Sequence, residues 1–291
     1  MSTELAAFST ELAAIVQKSA PSVVAVHARP RFPSSGLFWR PGIIVTAEHT
    51  IRREEEITVT LPDGSSAPAT LAGSDPGTDL AVLKGEFSAP LLQPAAPATP
   101  GQIALAIGRS PDSGVNATMG IVSAVSGDWR TWRGGRLDQY IRLDLTMYPN
   151  SSGGAVVNIA GEVLGIATSA LSRIAGVAIP SATINRVVDQ ILSSGRVSRG
   201  YLGVGLQPVE LPDHHKALIV LSLAPEGPAA SAGVLLGDIL VSLGGSPVVD
   251  TDDIQTVLES HPVGQSVEAG LLRGGVSKTI AITVGERPRR E

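Results

Sequence analysis

The sequence contains no cysteine. That excludes disulfides, a cysteine nucleophile and thiolate metal sites, and it leaves the compartment open. Charge is scarce: 17% of the 291 residues are charged against 43% hydrophobic, a balance that argues for packed cores and against disorder. An excess of basic charge is also missing. With 22 Lys and Arg against 27 Asp and Glu the net charge is −5, so no broad surface recruits nucleic acid. No apolar run reaches membrane-spanning length. The N-terminal "MSTELAAFSTELAAIVQKSAP" is interrupted by Glu4 and Glu11 and has no basic stretch ahead of an apolar core, so it does not read as a secretory signal. A cytoplasmic location follows if Met1 is the native start, and a periplasmic or other extracytoplasmic one if a leader has been removed. Aromatics make up only 3%, whereas Gly (32) and Pro (21) are frequent, which suits many short strands joined by tight turns.

The length suggests about two domains at roughly 100–200 residues each. Leu5, Phe8, Leu12, Ile15 and Val16 recur at helical spacing and predict an amphipathic helix over 3–19 whose apolar face packs on its own domain or on another subunit, the first being the simpler reading. From Ser22 the period shortens. "SVVAVHAR", "GIIVTA", "EITVTLPDG", "APATLAGSD" and "DLAVLK" read as strands, with Asp63-Gly64 as a hairpin signal. A Pro/Ala-rich connector (91–102) separates these from "IALAIG", "NATMGIVSAVSG", "YIRLDL", "GAVVN", "EVLGIATSA" and "GVAIP". A helix over 183–195 follows, with Gly195 as its C-cap. Two similar strand blocks without a fixed-period repeat predict two small antiparallel barrels or sandwiches. Past residue 197 a module of strands, a short helical turn in "GPAASAGV" and a helix over 251–261 with Thr251 as N-cap make a further domain. "RPRRE" at 287–291 reads as a solvated tail.

The chemistry starts from "YPNSSGGAVVN" (148–158), two serines followed by two glycines. Alone this is an ordinary polar turn. A nucleophilic serine needs an imidazole to take its proton, a carboxylate to fix the imidazole's tautomer, and N–H donors for a developing oxyanion. His49 stands just past the buried run "GIIVTAE", and Asp79 stands at the lip of "DLAVLK". Each is more often structural than catalytic when taken singly, but together with the serine turn they supply the parts of a serine hydrolase in the order His, Asp, Ser. The other histidines carry less: His27 lies within an apolar strand, His214 and His215 form a surface loop without a ligand set, and His261 ends a helix. "GVGLQP" lacks the third glycine of a dinucleotide fingerprint. No metal and no cofactor is expected. "GDWRTWRGGR" (127–136) reads as an exposed, partly packed loop, or as a regulatory one.

On these motifs the sequence resembles the HtrA (Deg) family of trypsin-like proteases. "IVTAEHTI" is similar to the family's histidine motif, "GTDLAVLK" to its aspartate motif, "PNSSGGAVVN" to its serine motif, and "GVAIPSATI" to the close of the protease domain. "GYLGVGLQ", "EGPAASAGVLLGDILVSLGG" and "TDDIQTVL" resemble elements of a PDZ domain. The resemblance implies a mainly β chain: an N-terminal helix (1–20), a protease domain of two six-stranded barrels (21–196), a small α+β PDZ domain (197–286) and the tail. It implies His49 as general base, Asp79 as its orienter, Ser152 as nucleophile, and the backbone N–H groups of Asn150 and Ser152 as the oxyanion hole, with Ser151 at the family's asparagine position. Thr146 would floor the pocket for the residue before the scissile bond (P1) and Ala170 would wall it, favouring small aliphatic side chains. Tyr201, Leu202, Gly203 and Val204 match the loop that binds a peptide carboxylate. The implied activity is ATP-independent endoproteolysis of unfolded polypeptides in protein quality control, by a homo-oligomer that is a trimer or a multiple of one. The sequence departs from the family at Asn150, usually Gly, at Ala155, usually Pro, and at Glu48 beside the base. These departures keep a second reading open: a peptide-binding scaffold or chaperone that cuts little or not at all.

Overall fold

The computed structural model describes residues 2–212 and 214–286, so the expected tail at 287–291 lies outside the described residues. The chain divides into two compact units with the boundary after Val197. Unit 1 opens with helix α1 (Ser2–Ser19). Its C-terminal half packs Leu12, Ile15 and Val16 on the unit's core, while Leu5 and Phe8 stay exposed. Packing on its own domain thus describes only the second half of the helix.

Six strands follow: β1 (Val23–His27), β2 (Ser34–Arg40), β3 (Ile43–Ala47), β4 (Ile57–Thr60), β5 (Ser66–Asp75) and β6 (Leu80–Lys84). They close into an antiparallel barrel in the order β1-β2-β3-β6-β5-β4. The Asp63-Gly64 turn joins β4 to β5 as the dipeptide predicts, its Ser65 amide donating to Asp63 Oδ1 at 2.9 Å. The strand absent from the sequence reading is β2. "SSGLFWR" shows no alternation and starts at two serines, yet Ser34 to Phe38 are all buried.

The second block gives β7 (Ile103–Ser110), β8 (Gly114–Ser126), a small hairpin of β9 (Trp129–Arg130) and β10 (Arg136–Leu137), then β11 (Tyr140–Asp144), β12 (Ala155–Val157), β13 (Val163–Thr168) and β14 (Gly176–Pro180). Without the hairpin, these close as β7-β8-β11-β14-β13-β12. Taken by position in each block, this is the strand order of the first barrel. The repeat that the sequence hides is therefore one of topology: alternate positions need only be apolar to fill a barrel, so the two halves can keep one path with unlike residues. The connector is not idle, since Ala95 N–H donates to Val163 O at 2.9 Å and Val163 N–H to Gln93 O at 2.8 Å, which ties it to β13. Helix α2 (Ser181–Ser194) buries Ile184, Val187, Val188 and Ile191 in the core cluster shared by both barrels. Burying each such side chain is worth about 1.5–3 kcal/mol relative to leaving it in water. The helix stops at Gly195, whose φ of 75° is the left-handed cap conformation that glycine adopts without penalty.

Unit 2 comprises β15 (Gly200–Tyr201), β16 (Val204–Glu210), β17 (Lys216–Leu223), α3 (Pro228–Ser231), β18 (Ile239–Leu243), β19 (Ser246–Pro247), α4 (Thr251–Ser260), β20 (Ser266–Arg273), β21 (Val276–Thr283) and β22 (Gly285–Glu286). The main sheet runs β16-β17-β18-β20-β21, with β16 on one edge. The N-cap of α4 is Asp250 and not Thr251. Asp250 accepts from the amides of Asp252 and Asp253, and Asp253 returns a bond to the Asp250 amide at 3.1 Å, a reciprocal box that a carboxylate builds better than threonine. His214 has a carboxylate partner after all, Glu210 at 2.7 Å, but both side chains are exposed. His261 Nδ1 meets Val257 O at 2.8 Å at the end of α4.

One ion pair anchors this unit. Asp238, 1% exposed, takes two bonds of 2.7 Å from Arg273 and a third from the Leu235 amide at 2.8 Å. The guanidinium's hydrogen bonds hold the Asp238 carboxyl below the usual carboxylate range, against the opposing effect of burial. A carboxyl depressed in the fold adds stability above its unfolded value of about 3.9 and loses it as pH falls through the folded one. Asp238→Asn should therefore lower the melting temperature at pH 7 and flatten its acid-side decline. Calorimetry between pH 7 and pH 2 measures both, and an unchanged profile would remove this pair from the unit's stability.

Candidate active site and peptide groove

The meeting of His49 and Asp79 is a consequence of strand register. The β3–β6 ladder ends at Ala47 opposite Leu80, so the next residues on each side, Glu48 and Asp79, leave the sheet together, and Glu48 N–H donates to Asp79 O at 3.0 Å. The chain turns tightly through Glu48–Thr50. This brings the His49 amide to Asp79 Oδ1 at 2.8 Å and the ring Nδ1 to the two carboxylate oxygens at 3.0 and 2.9 Å. Asp79 is fully buried with φ at 58°, a backbone conformation that non-glycine residues seldom hold without support. The support comes partly from the other barrel: Thr168, at the end of β13, donates its hydroxyl to Asp79 Oδ2. With Nδ1 on the carboxylate, the imidazole tautomer is set and Nε2 is left as the acceptor. Nε2 makes no hydrogen bond among the described residues. Glu48 is pushed above the usual carboxylate range by burial and by the Asp79 charge, and its Oε2 lies 3.5 Å from Arg133 Nη1.

The two serines of the opening motif are set apart by their partners. Ser151 Oγ accepts from the Tyr148 amide at 3.2 Å and so closes its own turn. Among the described residues, Ser152 Oγ has only a hydroxyl neighbour, Ser169 Oγ at 3.3 Å, and makes no hydrogen bond to the His49 ring. Gly153 is where the turn touches the first barrel. Its φ is 85°, and a Cβ there would lie 2.1 Å from Ser35 O, 2.5 Å from Thr46 Oγ1 and 3.0 Å from the Ala47 amide, at the end of the strand that leads to His49. Within the turn the amides of Ser151, Gly153 and Gly154 donate to Tyr148 O, Ala167 O and Ser151 O. Those of Asn150 and Ser152 have no acceptor among the described residues. Two uncommitted N–H groups, spaced by one residue beside a hydroxyl, can receive a developing oxyanion.

Unit 2 carries a groove of about 160 Å³ between the 200–206 segment and one face of α4, lined among others by Tyr201, Leu202, Gly203, Val204, Ile254 and Leu258. The carbonyls of Leu202 and Gly203 accept from Ala229 and Ala224, both at 2.8 Å, and turn the loop. The amides of Leu202 and Gly203 have no acceptor among the described residues. A loop with free amides at one end of an open edge strand and an apolar floor is suited to an extended peptide ending in a carboxylate.

Comparison with known proteins agrees with this division. Residues 34–166 match the trypsin-like peptidase domain and residues 200–284 the PDZ domain. The serine endoprotease DegS of Escherichia coli is 31% identical over 94% of this chain and 85% of its own length. The chain belongs to the HtrA (Deg) family. Another relative, described as a probable periplasmic DegP-like serine endoprotease of Brucella suis, is 33% identical over 90% of this HtrA-family chain. The chain covers 54% of that protein, so it spans about half the length of such curated relatives. Among solved structures, the serine endoprotease from Yersinia pestis superposes with a TM-score of 0.80 at 32% identity, covering 94% of this chain and 97% of that one. The HtrA-type protease AlgW with a decapeptide gives 0.81 at 28%, covering 96% and 99%.

Against the HtrA pattern, Asn150 needs none of the tolerance for unusual φ that recommends asparagine at a turn, for it is not among the positive-φ residues. Thr146 is exposed and makes no side-chain hydrogen bond among the described residues, while Ala170 is half-buried, its amide held by Thr168 Oγ1 at 3.0 Å. The 127–136 segment is anchored by Thr131, which donates its hydroxyl to Gly77 O at 2.6 Å, two residues before Asp79. Three residues of consequence escape a reading by motif: Thr168 on Asp79, Ser169 beside Ser152, and Ser35, whose hydroxyl donates to Asn150 O at 2.6 Å. The only sequence signal for the first two is a Thr-Ser pair ending an apolar strand. Ser35 lies in the strand that the pattern missed.

Proposed function

We propose that unit 1 is a serine endopeptidase in which Ser152 is the nucleophile, His49 the general base and Asp79 the residue that orients it. The observation that carries this reading is the buried Asp79 carboxylate on His49 Nδ1, with Nε2 left free. In the reaction Ser152 Oγ attacks the scissile carbonyl as Nε2 takes its proton, and the amides of Asn150 and Ser152 receive the oxyanion. The imidazolium then protonates the leaving amine, and water, activated by the same ring, hydrolyses the acyl-enzyme. His49 must first engage Ser152, whose hydroxyl rests on Ser169 at 3.3 Å. Such bonds commonly tighten only when substrate binds.

The substrates we infer are unfolded polypeptides in protein quality control, with small aliphatic P1 residues because Thr146 supplies no acid to the pocket floor and Ala170 narrows its wall. Unit 2 would bind apolar peptide C-termini by strand addition along β16, the carboxylate on the amides of Leu202 and Gly203. The tripeptide and decapeptide carried by the AlgW structures support a ligand of this kind. A homo-oligomer, a trimer or a multiple of one, is part of the same reading, and the exposed Leu5 and Phe8 of α1 offer it apolar surface.

The test compares the full chain with one lacking residues 198–291, on casein and on a short peptide with Ala or Val at P1. The full chain should cut both. The truncated chain should keep the short peptide and lose efficiency on casein, because a second binding event is gone. Equal losses on both substrates would make unit 2 a support for the protease unit. No cleavage by the full chain, with peptide binding intact, would favour the scaffold reading.

A further inference from the structure

The serine turn is held by the first barrel through its carbonyls. Pro149 O accepts from Arg29 Nη2 at 2.8 Å, Asn150 O accepts from Ser35 Oγ at 2.6 Å, and Ser152 O accepts from the Ser35 amide at 3.1 Å. Ser35 is buried and placed by its strand, and its hydroxyl is fixed further by the Arg109 amide at 2.9 Å. Arg29 is different. It lies in the short link between β1 and β2, and among the described residues its guanidinium has no carboxylate partner. All of its hydrogen bonds go to main-chain oxygens: Nε to Phe32 O, Nη2 to Pro33 O at 3.4 Å and to Pro149 O. A half-buried cation spent wholly on carbonyls fixes backbone.

What it fixes follows from the planar trans peptide, in which C=O and N–H point in opposite directions. With the Pro149 carbonyl turned toward Arg29, the Asn150 N–H points to the other side of the same plane. That N–H is one of the two uncommitted amides beside Ser152. If the Pro149–Asn150 peptide rotated by half a turn, a carbonyl would stand where a donor is needed, and an oxyanion would be repelled there. Among the described residues no other hydrogen bond reaches the Pro149 carbonyl to oppose that rotation, and Asn150 is free of the left-handed strain that could favour one state.

We infer that Arg29 is a positioning residue for the reaction: by holding the Pro149 carbonyl it keeps the Asn150 amide aimed as an oxyanion donor. The inference rests on the hydrolase reading for its catalytic consequence, but not for its geometry. A fork is needed, because one guanidinium spans Phe32 O and Pro149 O together, which the single ammonium of lysine cannot do in the same way.

The experiment uses the full chain with Arg29→Met and Arg29→Lys. Losing one oxyanion donor costs about 10²–10³ in kcat, and a donor misaimed for part of the time costs less. Arg29→Met should therefore lower kcat about 10- to 100-fold on a short peptide, with KM and the melting temperature near those of the parent. Arg29→Lys should recover part of the loss. The independent readout is the amide resonance of Asn150 in ¹⁵N-labelled protein, which should shift or broaden in Arg29→Met while amides of the β3–β6 ladder stay in place. An unmoved Asn150 amide with an unchanged kcat overturns the inference, as does a loss that appears only in KM or only with a lower melting temperature. If Arg29→Met fails to fold, the Arg29→Lys amide spectrum and kcat decide on the same terms. An inert parent whose Asn150 amide still responds to Arg29 overturns the hydrolase reading and leaves the positioning intact.

Discussion

Ser152→Ala is expected to abolish proteolysis, with kcat falling by about 10⁴–10⁶, while Ser151→Ala keeps activity within about tenfold of the parent. The two hydroxyls are neighbours in sequence and both residues are buried, so exposure does not separate them. Their partners do. Ser151 Oγ is engaged by the Tyr148 amide, and its loss leaves that amide seeking water at a worth of about 1 kcal/mol. Ser152 Oγ carries no backbone duty, and among the described residues it faces only Ser169. Labelling with a fluorophosphonate followed by peptide mapping reads the assignment directly. Label on Ser151, or near-native turnover in Ser152→Ala, would refute it.

The second large effect falls on Gly153→Ala. The substitution meets two obstacles at once. A φ of 85° is strained for any residue with a Cβ, by about 1–2 kcal/mol, and that Cβ would press on the Ser35 carbonyl, which is backbone in a closed barrel and cannot swing aside. The turn must move away from β2 and β3, taking the Ser152 hydroxyl and amide with it. A displacement near 1 Å costs about 10²-fold in rate, so kcat/KM should drop by at least about that factor even if the protein folds. The rate on a short peptide, read beside the far-ultraviolet spectrum, makes the measurement. Near-parent activity would mean that the turn does not seat against Ser35 as described.

How far the sequence announces all this depends on the kind of signal. His49, Asp79 and the serine turn sit at the ends of strongly apolar runs, and because strand register alone brings Ala47 opposite Leu80, a reading that finds the two strands places His49 near Asp79. The helix over 183–195 is legible for the same reason, as four buried aliphatics at helical spacing and a terminal glycine leave few alternatives. Strand β2 is not legible. Its buried Ser34 and Ser35 satisfy their hydroxyls on Thr50, Asn150 and Arg109, so a polar pair lies in the core where a hydropathy pattern expects none. Thr168 escapes likewise: its bond to Asp79 joins residues 89 apart and exists only because two barrels face each other. The cap of α4 fails on a finer point, since Asp250 and Thr251 are both acceptable caps and only the Asp253 return bond selects the first.

The edge strand β16 has a further property once its composition is considered. It runs Val204-Gly205-Leu206-Gln207-Pro208, and Pro208 lies opposite Leu218 of β17. Proline has no amide hydrogen, and within sheets it is tolerated where that hydrogen would have faced outward. On the strand-addition reading, a peptide laid along this edge finds its last outward main-chain donor at Leu206, since the next residue on the same side of the strand is Pro208. The edge therefore has a built-in stop. It measures the length of the recognised tail to a few residues from the carboxylate, and it denies a second copy of the strand the uninterrupted edge from which fibrous pairing would start.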